Sequence, residues 1–177
     1  MRLQPGDPPA PTLALVAGVA LQETAAAFAP DADIRIKWPN DLLASGAKLS
    51  GILLEREGGG VVAGFGVNLA HHPEDTVRPS TSIAALAGIA PDPAAFLDRL
   101  VLAFARWLEI WRAGGVAPVR AAWSAAALPP GTPLATHTAS GAWVEGFFQG
   151  LDESGALRLG LADGTSRVIH AGDVFLI

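Results

Sequence analysis

The 177-residue sequence contains no cysteine. That absence excludes disulfides, thiolate catalysis and cysteine-based zinc sites. Charge is also scarce: 16% of residues are charged, and the formal net charge is −5. This balance argues against a general nucleic-acid electrostatic footprint. The apolar run at 13–21 is too short to cross a bilayer. The N-terminal Met-Arg-Leu-Gln-Pro-Gly-Asp-Pro-Pro-Ala-Pro, with its prolines and acid, does not make a signal peptide. The expectation is a cytoplasmic protein without membrane or nucleic-acid partners. No internal repeat is present. Half of the chain is hydrophobic, enough for a sizeable core, and the length fits one main domain with a small second one.

What is there centres on residues 34–55: Ile-Arg-Ile-Lys-Trp-Pro-Asn-Asp, then Leu-Leu-Ala-Ser-Gly-Ala, then Lys-Leu-Ser-Gly-Ile-Leu-Leu-Glu. Ser45-Gly46 between two β-rich runs predicts a tight hairpin. If Ala44 faces Ala47, then Leu43 lies opposite Lys48, Leu42 opposite Leu49, Asp41 opposite Ser50 and Asn40 opposite Gly51. Alternation then sets Lys37, Asp41 and Lys48 on one face. Pro39 is a place for a bulge that would shift one of them. Charges amid apolar residues are costly unless paired. Two readings follow: a Lys–Asp surface pair on an edge hairpin, or a site for a phosphorylated, metal-bearing ligand.

Gly58-Gly59-Gly60 predicts a second turn, and 61–69 a third strand. Val61, Ala63, Phe65, Val67 and Leu69 share one face. Gly64, Gly66 and Asn68 share the other with Val62. Two glycines on one face leave bare backbone that a ligand, or a packing helix, can approach closely. Asn68 offers a donor and an acceptor beside it. A dinucleotide fingerprint does not fit, because the third glycine is missing and no helix signal follows directly.

Thr12 is placed to cap a core helix over 13–28, with Pro30 after its end. His71-His72-Pro73-Glu74-Asp75 reads as a solvated loop rather than a metal site. Thr81 or Ser82 caps a short helix at 83–87 that Gly88 ends. Asp92-Pro93 starts a longer helix with a core stripe of Phe96, Leu100, Ala103, Phe104, Trp107 and Trp111, stopped by Gly114-Gly115. A shorter helical segment follows at about 116–127. Pro129-Pro130-Gly131 marks the domain boundary. Beyond it, strands are expected near 132–138, 142–150, 156–161, 166–170 and 173–177. So small a module is a marginal independent core and is expected to dock on the first domain. The domains are thus 1–128 and 129–177.

The run Lys37-Trp38-Pro39-Asn40-Asp41, followed by Lys48-Leu49-Ser50-Gly51-Ile52-Leu53, resembles the central signature of biotin protein ligases. Gly64-Phe65-Gly66-Val67-Asn68-Leu69 is similar to the family's Gly-Ile-Gly-Ile-Asn strand. The resemblance implies an α+β fold of the class II synthetase-like, biotin–lipoate ligase type. It has a mixed sheet backed by helices, with its first part missing here, and a small C-terminal SH3-like β-barrel.

The family joins biotin to ATP as biotinyl-5'-AMP, then passes biotin to a lysine of a carrier domain. Such charge build-up calls for fixed cations. By resemblance, Lys48 is catalytic and lies between the biotin carboxylate and the α-phosphate. Lys37 contacts phosphate. Asn40 and Asp41 orient the nucleotide, and Asp41 helps to hold Mg²⁺ that accompanies ATP. Asn68, Gly64 and Gly66 lie against the nucleotide, and Gly51 keeps space open beside biotin and the adenylate. The implied partners are biotin as substrate, a biotin carboxyl carrier domain, and a second copy in a homodimer. The family's Gly-Arg-Gly-Arg-x-Gly-Arg loop is not found here, so the chain alone is expected to be a poor ligase. An N-terminal helix-turn-helix is not found either, so no DNA-binding repressor activity is expected from these residues. A lipoate-type ligase and a non-catalytic nucleotide- or carrier-binding remnant are the rival readings.

Overall fold

The computed structural model describes residues 1–74, 78–137 and 141–177. Asp75 of the histidine loop and Thr138 at the end of an expected strand lie outside these residues.

A helix, α1 (Leu13–Phe28), runs through the centre. It is buried over most of its surface, packing on two further helices and on the first strand. The span Ala10–Phe28 is long and apolar enough to cross a bilayer by length and composition, which extends the shorter run seen in the sequence. Yet 61% of that span is buried inside the protein, as in a core helix. Thr12 does not cap it. Its backbone is already helical, and its Oγ1 donates to the Pro9 carbonyl and accepts from Trp111 Nε1 at 2.8 Å.

Four strands form the first sheet: β1 (Ile34–Lys37), β2 (Asp41–Ala44), β3 (Ala47–Glu57) and β4 (Gly60–Val67), in that spatial order. Each connection is too short for a crossover, so every neighbour is antiparallel. Among the described residues, the parallel pairings expected of a mixed sheet are confined to the isolated bridges Ile36–Ala127 and Lys48–Ser80.

The helices follow: α2 (Ile83–Ala87), α3 (Pro93–Gly114) and α4 (Val116–Ala126). Ser82 Oγ caps α2 by accepting from the Ala85 amide, and Gly88 ends it at φ 77°. Asp92 caps α3 with Pro93 at its first position, as the sequence predicted. Phe96, Leu100, Ala103 and Trp111 are buried, while Phe104 and Trp107 are only partly so.

The C-terminal strands are β5 (Pro133–His137), β6 (Trp143–Leu151), β7 (Leu157–Gly160), β8 (Ser166–Ile169) and β9 (Val174–Leu176). They form one antiparallel sheet in the order β8-β7-β6-β5-β9. β8 and β9 are its edges, so the observed element is a five-stranded sheet. It docks on the first unit through specific contacts. Trp38 Nε1 donates to the Gly155 carbonyl at 3.1 Å, and Trp123 meets Phe148 edge-on. The Arg78 guanidinium lies 4.1 Å from the Phe175 ring centre.

Candidate active site

The hairpin turns twice. The first turn contains a cis Trp38-Pro39 bond. Strands β1 and β2 pair with Lys37 directly opposite Asp41. The Ser45-Gly46 turn then brings β3 back with Ala44 facing Ala47 and Leu43 facing Lys48, as predicted. Beyond that pair the register departs from expectation. A bulge places Leu42 opposite Ser50 and Asp41 opposite Gly51. Leu49, fully buried, is the extra residue. The bulge therefore lies not at Pro39 but beside Lys48. Its result is that Lys48 and Gly51, three apart in sequence, meet on the same face.

Lys37, Asp41 and Lys48 are brought together. Asp41 Oδ2 accepts from Lys37 Nζ at 2.7 Å, and Oδ1 pairs with Lys48 Nζ at 2.6 Å. Lys37 and Asp41 are buried, whereas the Lys48 side chain is 49% exposed. The Lys37 ammonium is thus committed to the carboxylate, and Lys48 faces the opening. Burial pushes the Asp41 carboxyl up, but the hydrogen bonds and charges of Lys37 and then Lys48 outweigh it. The group titrates below the ordinary carboxylate range.

One row crosses the whole sheet: Lys37 opposite Asp41, Asp41 opposite Gly51, Gly51 opposite Gly66. Two ionised side chains lead onto bare backbone. A Cβ on Gly51 would stand 3.5 Å from Lys48 Nζ and 3.6 Å from Asp41 Oδ1. Gly64 lies one step further out, opposite Leu53.

Asn68 holds the lysine's backbone. Its Nδ2 donates to the Thr81 carbonyl at 2.9 Å and lies 3.5 Å from the Lys48 carbonyl, while its amide donates to Leu49. Pro79 and Thr81 bond both sides of the Lys48 peptide. The bulge is therefore clamped by segment 79–81. Asn40 is not brought to the cavity. Its Nδ2 donates to the Ile52 carbonyl, tying β3 to the first turn.

Two cavities adjoin this row. One, of about 230 Å³, is lined by Lys48, Ser50, Gly51, Gly66, Asn68 and the loop residues Pro73, Arg78 and Ser80. The other, of about 390 Å³, has Lys37, Asp41 and Lys48 on one wall and Trp143, Phe175, Leu176 and Ile177 of the C-terminal sheet on another. Sequence reasoning missed Arg78, Trp143 and Phe175. Nothing in their local pattern marks them, since the site forms only when distant segments dock.

The residues do not offer a ready metal site. Both Asp41 oxygens already accept from ammonium groups, and a divalent cation there would have to displace one. No cluster of three potential ligands occurs among the described residues. The arrangement instead suits fixed cationic charge beside an open ledge, which can hold a carboxylate against a phosphate.

Comparison with known proteins bears on this geometry. The model of the biotin/lipoate A/B protein ligase family matches residues 7–70, and that of the biotin protein ligase C terminal domain matches 139–177. The chain is 42% identical to a biotin–[acetyl-CoA-carboxylase] ligase of Paracoccus denitrificans, covering 99% of this chain and 77% of that protein. It belongs to the biotin protein ligase family. A second member, from Mycobacterium tuberculosis, is 34% identical over 92% of this chain. The chain spans 61% of that relative, and 52% of the bifunctional ligase/repressor BirA of Bacillus subtilis. The family fold is also evident in solved structures. The Aquifex aeolicus biotin protein ligase in complex with biotin and ATP matches with a TM-score of 0.83 at 20% identity, covering 94% of this chain and 72% of that one. The Leishmania major enzyme with biotinyl-5-AMP matches at 0.58 and 22% identity, covering 91% and 71%.

Proposed function

We propose that this chain takes part in ATP-dependent ligation of biotin to a lysine of a biotin carboxyl carrier domain through biotinyl-5'-AMP. The observation that carries the reading is the Lys37–Asp41–Lys48 cluster facing bare backbone at Gly51 and Gly66, in a member of this family. Lys48, the exposed cation, stabilises charge where the biotin carboxylate meets the α-phosphate. Lys37 fixes Asp41, and Asp41 aims Lys48. Gly51 leaves room for biotin and the adenylate, and Gly64, Gly66 and Asn68 border the nucleotide. Asn40 acts through the backbone of β3 rather than by contact. Mg²⁺ arrives on the phosphates of ATP as part of the substrate, not on Asp41. Residues 1–128 form the catalytic part and 129–177 the docked β domain, in a cytoplasmic protein. The match to a biotin-ligase C-terminal domain favours biotin over lipoate. The exposed Leu53 on β3 and Val62 on the edge strand β4 support self-association as a homodimer.

The test is biotin-dependent ATP–pyrophosphate exchange. It is run on this chain, on a version extended upstream to include an arginine loop of the family pattern, and on Lys48→Ala in that version. Exchange is expected in the extended form, weak in the present chain, and lost with Lys48→Ala. Silence in both forms would overturn the enzyme reading.

A further inference from the structure

The sequence holds 12 lysines and arginines, and of these only Lys37 and Lys48 are lysine. Both stand at the site, one on each oxygen of Asp41. A guanidinium stays protonated and offers no lone pair to an acyl group, whereas a lysine that has lost a proton is a nucleophile. The 177 residues therefore carry no side-chain amine outside the cluster.

That distribution matters in a protein that forms a mixed anhydride. In the adenylation reading the acyl carbon is generated beside Lys48, which makes Lys48 the amine nearest to it. Lys48 lines both cavities, and its side chain is half-exposed. To attack, its ammonium must first release one proton. The lone pair then bonds to the acyl carbon, the carbon–oxygen bond to the phosphoryl group breaks, and AMP leaves with that electron pair. The nitrogen sheds a second proton to solvent. The product is a protein acylated on its own central lysine, with the positive charge gone.

The geometry opposes the first of these steps. Asp41 Oδ1 lies 2.6 Å from Lys48 Nζ, and Oδ2 accepts from Lys37 Nζ at 2.7 Å. An ammonium has no lone pair. Releasing the Lys48 proton would also take from the buried carboxylate one of its two counter-charges. Lys37 is shielded both by its pairing and by burial.

We infer that Asp41 keeps Lys48 and Lys37 from being acylated by the adenylate, and so reserves the acyl group for an amine brought from outside. The inference rests on the adenylation reading and adds to it a selectivity between acceptors. Arginine in place of lysine extends the same protection to the rest of the surface.

The chain is incubated with preformed biotinyl-5'-AMP, adducts are located by peptide mass spectrometry, and calorimetry measures binding of the adenylate. Four proteins are compared: wild type, Arg158→Lys, Lys37→Met, and the double variant Lys37→Met with Asp41→Asn. Arg158 is exposed on β7 and lines neither cavity, so its variant reports the reactivity of an unguarded lysine. The double variant removes the buried ammonium together with the carboxylate, leaving no buried charge unpaired. Wild type and Lys37→Met should stay unlabelled at Lys48, because both keep Asp41. Arg158→Lys should be labelled at position 158. The double variant should be labelled at Lys48, on the order of tenfold above wild type, as for a lost hydrogen bond to a charged group. Labelling of wild-type Lys48 as fast as position 158 would overturn the inference. No gain at Lys48 in the double variant would overturn it too. A wild-type chain with no affinity for the adenylate would instead sink the adenylation reading on which the inference stands.

Discussion

Gly51 lies directly opposite Asp41 across β2 and β3, on the face from which Lys48 reaches the same carboxylate. A methyl group at Gly51 would make only ordinary contacts, at 3.5 Å from Lys48 Nζ and 3.6 Å from Asp41 Oδ1. Gly51→Ala is therefore expected to fold normally, with a melting temperature within a few degrees of wild type. It fills the ledge, however, so exchange activity of the extended form should fall at least about tenfold, a barrier increase of roughly 1.4 kcal/mol. Thermal melts and exchange assays on one preparation separate the two effects. A large loss of stability would show that the glycine serves packing instead.

Gly146 is the contrasting case. A Cβ there would collide with the Gly160 carbonyl and stand 2.8 Å from Leu159 Cγ. Backbone cannot yield as a flexible side chain does. Gly146→Ala should destabilise the protein by about 1–3 kcal/mol, read as a lower urea midpoint. An unchanged midpoint would mean that β6 and β7 can separate without loss.

The buried pair sets an acid limit on stability. Asp41 titrates below its ordinary 3.8 in the folded state. Its stabilising contribution is complete above the unfolded pKa and is lost as pH falls through the folded one. Asp41→Asn should flatten this acid dependence. At neutral pH it should cost about 3–5 kcal/mol, because the Lys37 ammonium stays buried without its partner. Lys37→Met should cost less, since Lys48 still serves the carboxylate. Urea unfolding at pH 7 and at points below pH 4 checks both; an asparagine variant that keeps the wild-type acid slope would assign that slope elsewhere.

Trp38 links the turn between β1 and β2 to the C-terminal sheet by its bond to Gly155. Trp38→Phe keeps most of the ring but removes the donor. The expected cost is about 1 kcal/mol, with faster hydrogen exchange at 152–156 and little change in β3. Equal protection in both proteins would show that this bond does not hold the domain in place.

Much of the fold is legible in the sequence, for local reasons. The Ser45-Gly46 turn, the Asp92-Pro93 helix start, a cap at Thr81 or Ser82 and the five C-terminal strands each follow from short-range chemistry. The grouping of Lys37, Asp41 and Lys48 follows from alternation, although the strand holding the first two is really a hairpin. The register beyond Lys48 was not legible. The bulge at Leu49 depends on burying that side chain and on backbone partners at Pro79, Thr81 and Asn68, which no local pattern encodes. The contact of Asn40 was not legible for a similar reason: its Nδ2 donates to the Ile52 carbonyl, a neighbour only once the sheet forms. Arg78 and Phe175 meet only when the two units dock.

The cluster of two lysines about Asp41 is complete before any ligand enters. Its charges are already aligned, so a binding substrate need not gather them, and little reorganisation remains for the moment of reaction. The first hairpin supplies Lys37 and Asp41, and Lys48 joins them only once β3 is held by Pro79, Thr81 and Asn68. Preorganisation of the site is therefore a tertiary event, and a change that loosens segment 79–81 weakens the lysine's placement even where it touches no substrate.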